Sequence, residues 1–426
     1  MTISKKMTSL STALLLLIFA PPVSYVVGGA SSMSIGLLFA SLLTIALLRV
    51  SPKKTILSGG ERLMVLFVAL LFAKGAVDVL VRPSSFTIIA YLGISTLVLA
   101  ANIFASFLWK IEPAKLRKIF IGVASFLCFL LMISSFGRIS IGNYGEYSQN
   151  VFPFSEPSHF AIFCGPLIAV GFFLAGWKTK LILSGMLWLG AFLLPNLTLA
   201  VLALLISAIY LCVITRRLAL IIPILTLLAL MAQMIDLVNF LPTHFLDRLN
   251  FADAENVSTL VYLQGWERSA LSLETTNGLG VGFQNLESLE SGQTGARLFD
   301  VLQAEKNLKD GGFLLSKLVG EFGIFGLGFC FAYLGLFCFA LYDLLNHFKF
   351  YQFPDLRTGW NAKQQVEFLR AIGNIFIVVF VVEILVRGVG YFSLGVFFFS
   401  VGLSLRICTN SLQPKVAVVT RVSTNF

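Results

Sequence analysis

Charge is what this sequence has least of. Only 12% of its 426 residues are charged and 57% are hydrophobic, whereas a soluble chain of this length is about one quarter charged. That excludes a soluble globular enzyme. The six cysteines (128, 164, 212, 330, 338 and 408) form no CxxC pair and all lie in or beside apolar runs. A disulfide framework and a zinc site are therefore excluded. Short alternating segments of the β-barrel kind are missing too. The run "GLGVG" (278–282) has neither the preceding strand nor the following helix that a nucleotide fold needs, so it reads as a turn, one that lets the backbone approach a ligand.

What the chain has in abundance is apolar runs of bilayer-spanning length, so it reads as a polytopic, all-α membrane bundle. Twelve spans are predicted, over 9–28, 33–49, 62–82, 86–109, 119–137, 157–176, 180–194, 197–214, 218–238, 313–343, 369–387 and 391–408. Around "LLPNLTLA" (193–200) one helix kinked at Pro195 is the alternative to two spans. The first run follows Lys5 and Lys6 and reads as a retained helix rather than a cleaved signal. With the N-terminus inside, Lys and Arg collect in the cytoplasmic segments, from Lys53 and Lys54 through Lys115–Lys118 to Arg357 and Arg406. The net charge of +10 then reports topology and anionic headgroups, and nucleic acid is a poor partner. A single membrane domain covers 1–426. The external segment 239–312, between spans nine and ten, is long and polar, yet its apolar periodicity and aromatics (Tyr262, Trp266, Phe283) predict that it folds against the membrane.

Basic residues on the external face are few, and positive-inside sorting disfavours each of them. They include Arg138, Arg248, Arg268 and Arg387. A bound anion explains such arginines, because guanidinium grips phosphate bidentately. A local salt bridge or a snorkelling side chain explains them too. Arg387 lies in "EILVRGVGYF", with Glu383 one turn below as a candidate partner and Tyr391 at an interfacial position. Residues 256–274 read as a helix ended by the glycines, with Gln264 and Arg268 on one face. In "SEPSHFA" (155–161) Pro157 suits a first helical turn, which makes Glu156 an N-cap. A general base is the competing reading for Glu156 and for His159. Lys317 with Glu321 and Lys74 with Asp78 are i,i+4 pairs, and Asp310 is a further candidate base.

"SEPSHFA", "STLVYLQGWE" followed by "NGLGVGFQ", "GEFGIFGLG" and "VRGVGYF" resemble the Wzy-type O-antigen polymerases. So does the layout of many helices with one large late external loop. The resemblance implies a GT-C-like fold of the bacterial inner membrane, with a periplasmic active face. It implies an inverting glycosyltransferase that moves an undecaprenyl-pyrophosphate-linked glycan onto a lipid-linked repeat unit. No metal and no other cofactor is implied, since arginines can neutralise the leaving pyrophosphate. Glu156 and His159 would orient or deprotonate the acceptor hydroxyl. Arg138, Arg248, Arg268 and Arg387, with Gln264 and Tyr391, would hold pyrophosphate and glycan. Partners would be the lipid-linked donor and acceptor, membrane lipids and a chain-length regulator. An O-antigen ligase acting on lipid A-core shares the same features. A flippase for lipid-linked oligosaccharides is the rival of another class, and it predicts polar residues through the whole depth of the bundle.

Overall fold

The computed structural model describes residues 3–48, 61–81, 83, 85–137, 144, 149–215, 257–304, 308–347 and 362–423, with side chains as far as 409. Among them no strand forms, and one isolated β-bridge joins Val151 to Phe154. Leucine-rich and alanine-rich runs become helices because a backbone in hydrocarbon must satisfy its own hydrogen bonds. In chain order these are α1 (Ile3–Val26), α2 (Met33–Leu48), α3 (Glu61–Val81), α4 (Ser85–Leu108), α5 (Pro113–Phe136), α6 (Pro157–Leu174), α7 (Trp177–Leu193) and α8 (Leu197–Thr215). After 256 come α9 (Val257–Thr275), α10 (Gln293–Leu302), α11 (Leu314–Phe322), α12 (Ile324–His347), α13 (Ala362–Val379), α14 (Val381–Leu385) and α15 (Leu394–Ser423). The predicted ninth span, 218–238, and the loop up to 256 lie outside the described residues.

Among the described residues eight stretches are long and apolar enough to cross a membrane, and α2 and the apolar part of α15 are shorter. Leu15, Phe39, Leu92, Phe129 and Phe331 turn outward on them, as lipid-facing side chains do. The chain is a multi-pass helical membrane protein. Its centre is α6, of which 94% is buried, and the α13–α14 stretch, 83% buried; α3, at 11%, stands at the rim. Around that centre α5 packs on α6, and α13 packs along α15, which also meets α4. A Cβ on Gly171 of α6 would sit 2.3 Å from the Ala124 Cβ and 2.6 Å from the Phe120 carbonyl of α5, so glycine sets how closely those two helices approach.

The segment around Pro195 forms two helices, not one kinked helix. Asn196 Oδ1 accepts the Leu199 N–H at 3.0 Å, which caps the start of α8. The predicted tenth span, 313–343, is instead broken at Gly323 into α11 and α12. Gly323 has a φ of +58°, and the glycine run packs into the break. Val281 N–H donates to the Gly320 carbonyl, Gly282 N–H to that of Glu321, and Ile324 N–H to that of Gly278. A Cβ on Gly280 would lie 2.5 Å from the Glu321 carbonyl oxygen. The backbone approach permitted by "GLGVG" is therefore to the protein's own chain. α11 thereby joins α9 in one unit, held by Ser269 Oγ on the Ser316 carbonyl (2.8 Å) and Ser272 Oγ on that of Gly320 (2.5 Å). Phe313 stacks on Tyr262 at 4.5 Å and meets Trp266 at 5.2 Å.

The unit is tied to the bundle as well. Asp78 of α3 forms the predicted pair with Lys74 at 2.8 Å and accepts the Phe283 N–H at 2.9 Å. At the far end of the bundle Asp343 takes a bidentate pair from Arg370 (2.6 and 2.9 Å) and a hydrogen bond from Asn374 at 2.7 Å. Arg406, fully buried, donates to Asn374 and lies 4.5 Å from the Phe339 ring centroid. This clamp joins α12, α13 and α15.

Candidate functional site

The turn before α6 is strapped in place. Phe152 N–H donates to Ser134 Oγ at 3.1 Å, Tyr144 Oη to the Pro153 carbonyl at 2.8 Å, and Asn150 Nδ2 to the Tyr144 carbonyl at 2.9 Å. Glu156 occupies the N-cap position with Pro157 after it, as expected, but its carboxylate makes no capping hydrogen bond to the helix. It accepts from Ser158 Oγ at 3.0 Å and points to Arg387, whose Nη2 is 3.8 Å away. The expected Arg387–Glu383 pair does not form. α14 ends at Leu385, Arg387 N–H bonds back to the Val382 carbonyl, and the guanidinium turns toward α6. Glu383 is buried on the other side, its carboxylate filling the space left by the missing side chain of Gly395.

Glu156 and Arg387 line a cavity of about 260 Å³. Ser158, from the first turn of α6, lines it with them. So do Asn196 and Thr198 at the start of α8, and Ser258, Thr259 and Tyr262 in the first described turns of α9. The first N–H groups of a helix lack intrahelical partners and carry the positive end of its dipole. The first turns of α6 and α8 and one guanidinium around a single cavity make a place for an anion. Arg387 is 24% exposed and Glu156 49%, so both can meet a ligand. The Glu156 carboxylate beside the anion place can take a proton from a bound hydroxyl.

A second polar centre lies beside the Gly388–Tyr391 segment. Lys317 and Glu321 are both fully buried and pair at 2.8 Å, as their spacing predicts. Lys317 Nζ also donates to the Lys309 carbonyl and to Gln284 Oε1 (3.3 Å). Tyr391 Oη donates to Glu321 Oε2 at 2.9 Å, and its ring lies under the Lys317 ammonium at 5.1 Å. Burial pushes the Glu321 carboxyl above the ordinary carboxylate range, with the Lys317 charge opposing it. Burial raises the Tyr391 phenol, and the Glu321 charge raises it further, so it stays a donor. The network holds Tyr391 by protein groups on both faces, since Phe283 stacks on the ring at 5.8 Å.

The structure thus brings together Glu156 and Arg387 from the sequence-derived set, and separates the other described members. His159 sits one turn further along α6, within electrostatic reach of both, with Ser155 Oγ 3.4 Å from its Nδ1. It is not part of the cavity wall. Arg268 is buried, and its Nη2 donates to the carbonyls of Leu286 (2.5 Å) and Leu289 (3.3 Å), where it shapes the loop after the glycine run. Gln264 opens onto a different cleft, and Tyr391 belongs to the Lys317–Glu321 network. Asp310 is exposed and lies against Gly390. Arg138 and Arg248 lie outside the described residues. Sequence reasoning missed Asn196, Thr198, Ser258 and Thr259 as wall residues. For Asn196 and Thr198 the signal is a position at the start of a helix.

No family model, no curated protein and no solved structure matches this chain. Fold and site define its class, a multi-pass helical membrane protein with a polar, anion-favouring cavity where the α9–α11 unit meets the bundle.

Proposed function

We propose that the chain is a Wzy-type O-antigen polymerase, a twelve-span, GT-C-like inverting glycosyltransferase of the bacterial inner membrane with its cavity on the periplasmic face. The observation that carries this reading is the cavity in which Arg387 faces Glu156 among the first turns of α6 and α8 and residues 258–262 of α9. A sugar donor outside the cytoplasm is lipid-borne, and its leaving group is a pyrophosphate. Arg387 and the helix starts take up the charge that develops on that pyrophosphate. The acceptor hydroxyl oxygen attacks the anomeric carbon of the donor. A new C–O bond forms as the bond to the pyrophosphate oxygen breaks, with inversion. The hydroxyl proton passes to Glu156, and undecaprenyl pyrophosphate leaves. His159, next along α6, lies behind the wall within electrostatic reach of Glu156.

Elongation of lipid-linked repeat units by the purified protein, followed by gel ladder, tests this. Arg387→Ala is expected to abolish laddering in a folded protein. Glu156→Gln is expected to lower the rate by a factor of about 10²–10⁴, the range for a general base. Normal elongation by Arg387→Ala sinks the pyrophosphate assignment. Transfer to lipid A-core without elongation identifies a ligase, and lipid flipping without transfer identifies a transporter.

A further inference from the structure

We propose that the cleft between α9 and α10 is a saccharide subsite that holds the glycan of a substrate away from the reacting bond. This deepens the polymerase reading and rests on it for the source of the glycan. The cleft has a volume of about 260 Å³. Gln264 projects into it from α9. The residue is only 3% exposed, and its amide makes no hydrogen bond to any of the described residues. The amide opens onto the cleft, so a ligand seated there can supply the hydrogen bonds that the protein does not. An amide offers two donors and one acceptor on neighbouring atoms, the pattern that adjacent sugar hydroxyls match.

The remaining wall suits the same ligand. Gly295 faces Gln264, and a Cβ there would come within 3.4 Å of Nε2, so glycine keeps the approach to the amide clear. Ser291 and Asp300 add a hydroxyl and a carboxylate, and Phe299, 47% exposed, offers a ring face for the apolar side of a sugar. A phosphate is a poor fit. Among the described residues no cationic side chain lines the cleft, and the Asp300 carboxylate does. The start of α10 is already satisfied, because Glu267 accepts the N–H groups of Thr294 (3.0 Å) and Gly295 (3.2 Å). The cleft and the Arg387 cavity share α9. Tyr262 faces the cavity and Gln264, about 200° further around the helix, faces the cleft. A glycan seated on Gln264 is thereby tethered to the helix that also builds the reaction site.

Saturation-transfer NMR on the full chain in nanodiscs tests the subsite. The probes are glucose, galactose, mannose, rhamnose, N-acetylglucosamine and N-acetylgalactosamine, each alone. At least one sugar is expected to receive saturation. The signal is expected to vanish in Gln264→Leu and in Ala296→Trp, which fills the cleft from the exposed face of α10, and to persist in Arg387→Ala. No transfer to any of the six sugars overturns the proposal. So does a signal that survives both cleft variants, or one displaced by inorganic pyrophosphate. Sugar binding by a wild-type protein that does not elongate leaves the subsite standing and removes the polymerase reading. Elongation without sugar binding does the reverse.

Discussion

Replacing Lys317 by methionine removes one charge from a site where both partners are shielded from solvent. The pair is fully buried at 2.8 Å, so the lost cation leaves Glu321 uncompensated. It retains only the Tyr391 hydroxyl and backbone contacts. Breaking a buried pair in this way costs about 3–5 kcal/mol. Glu321→Gln is milder, about 1–3 kcal/mol, because Lys317 keeps the Lys309 carbonyl and Gln284 Oε1 as acceptors. The double variant removes both charges, and its cost is expected to fall well short of the sum, with a coupling of about 2 kcal/mol or more. Pulse proteolysis of the detergent-solubilised protein, reading cleavage within 257–322, measures each value. A cost for Lys317→Met below about 1 kcal/mol, the range of a surface pair, refutes the burial on which the reasoning stands. Additive single costs refute the coupling. The pH dependence has a definite sign. Glu321 holds its proton more tightly folded than unfolded, so stability falls as pH rises from the ordinary carboxylate range through its raised folded value, then levels off. The slope is expected to disappear in Glu321→Gln.

Two further substitutions probe the frame around the site. Gly323→Ala places a Cβ 2.0 Å from the Gly278 carbonyl at a φ of +58°. It is expected to cost about 3 kcal/mol or more, while Gly185→Ala, which meets open space on α7, is expected to stabilise by about 0.5–1 kcal/mol; thermal unfolding of both variants gives the comparison, and equal melting temperatures contradict it. Arg370→Met strips the bidentate partner from a nearly buried Asp343, at an expected cost of about 3 kcal/mol; a loss under about 0.5 kcal/mol in the same assay shows that Asn374 and Arg406 suffice.

Much of the frame was legible in the chain because its signals are local. Apolar runs mark the helices. The helix at 257–275 follows from its periodicity and its terminal glycines. Lys74–Asp78 and Lys317–Glu321 follow from i,i+4 spacing. The break at Gly323 was not legible, because "GIFGLGF" reads as one apolar run. What splits it is a hydrogen-bonded wedge from residues 278–282, a long-range contact. The same limit applies to Arg387. Spacing offered Glu383 as its partner, but the end of α14 turns the guanidinium to Glu156 instead.

By itself, then, the sequence determined that this is a multi-pass helical membrane protein and which charges lie at helix ends, since hydropathy and capping act over a few residues. Tertiary structure alone decided what those charges meet. It set Arg387 opposite Glu156, committed Arg268 to backbone carbonyls, enclosed Tyr391 with Glu321, and left Gln264 facing an open cleft. Side-chain partners across a bundle depend on how whole helices pack, and no local pattern encodes that.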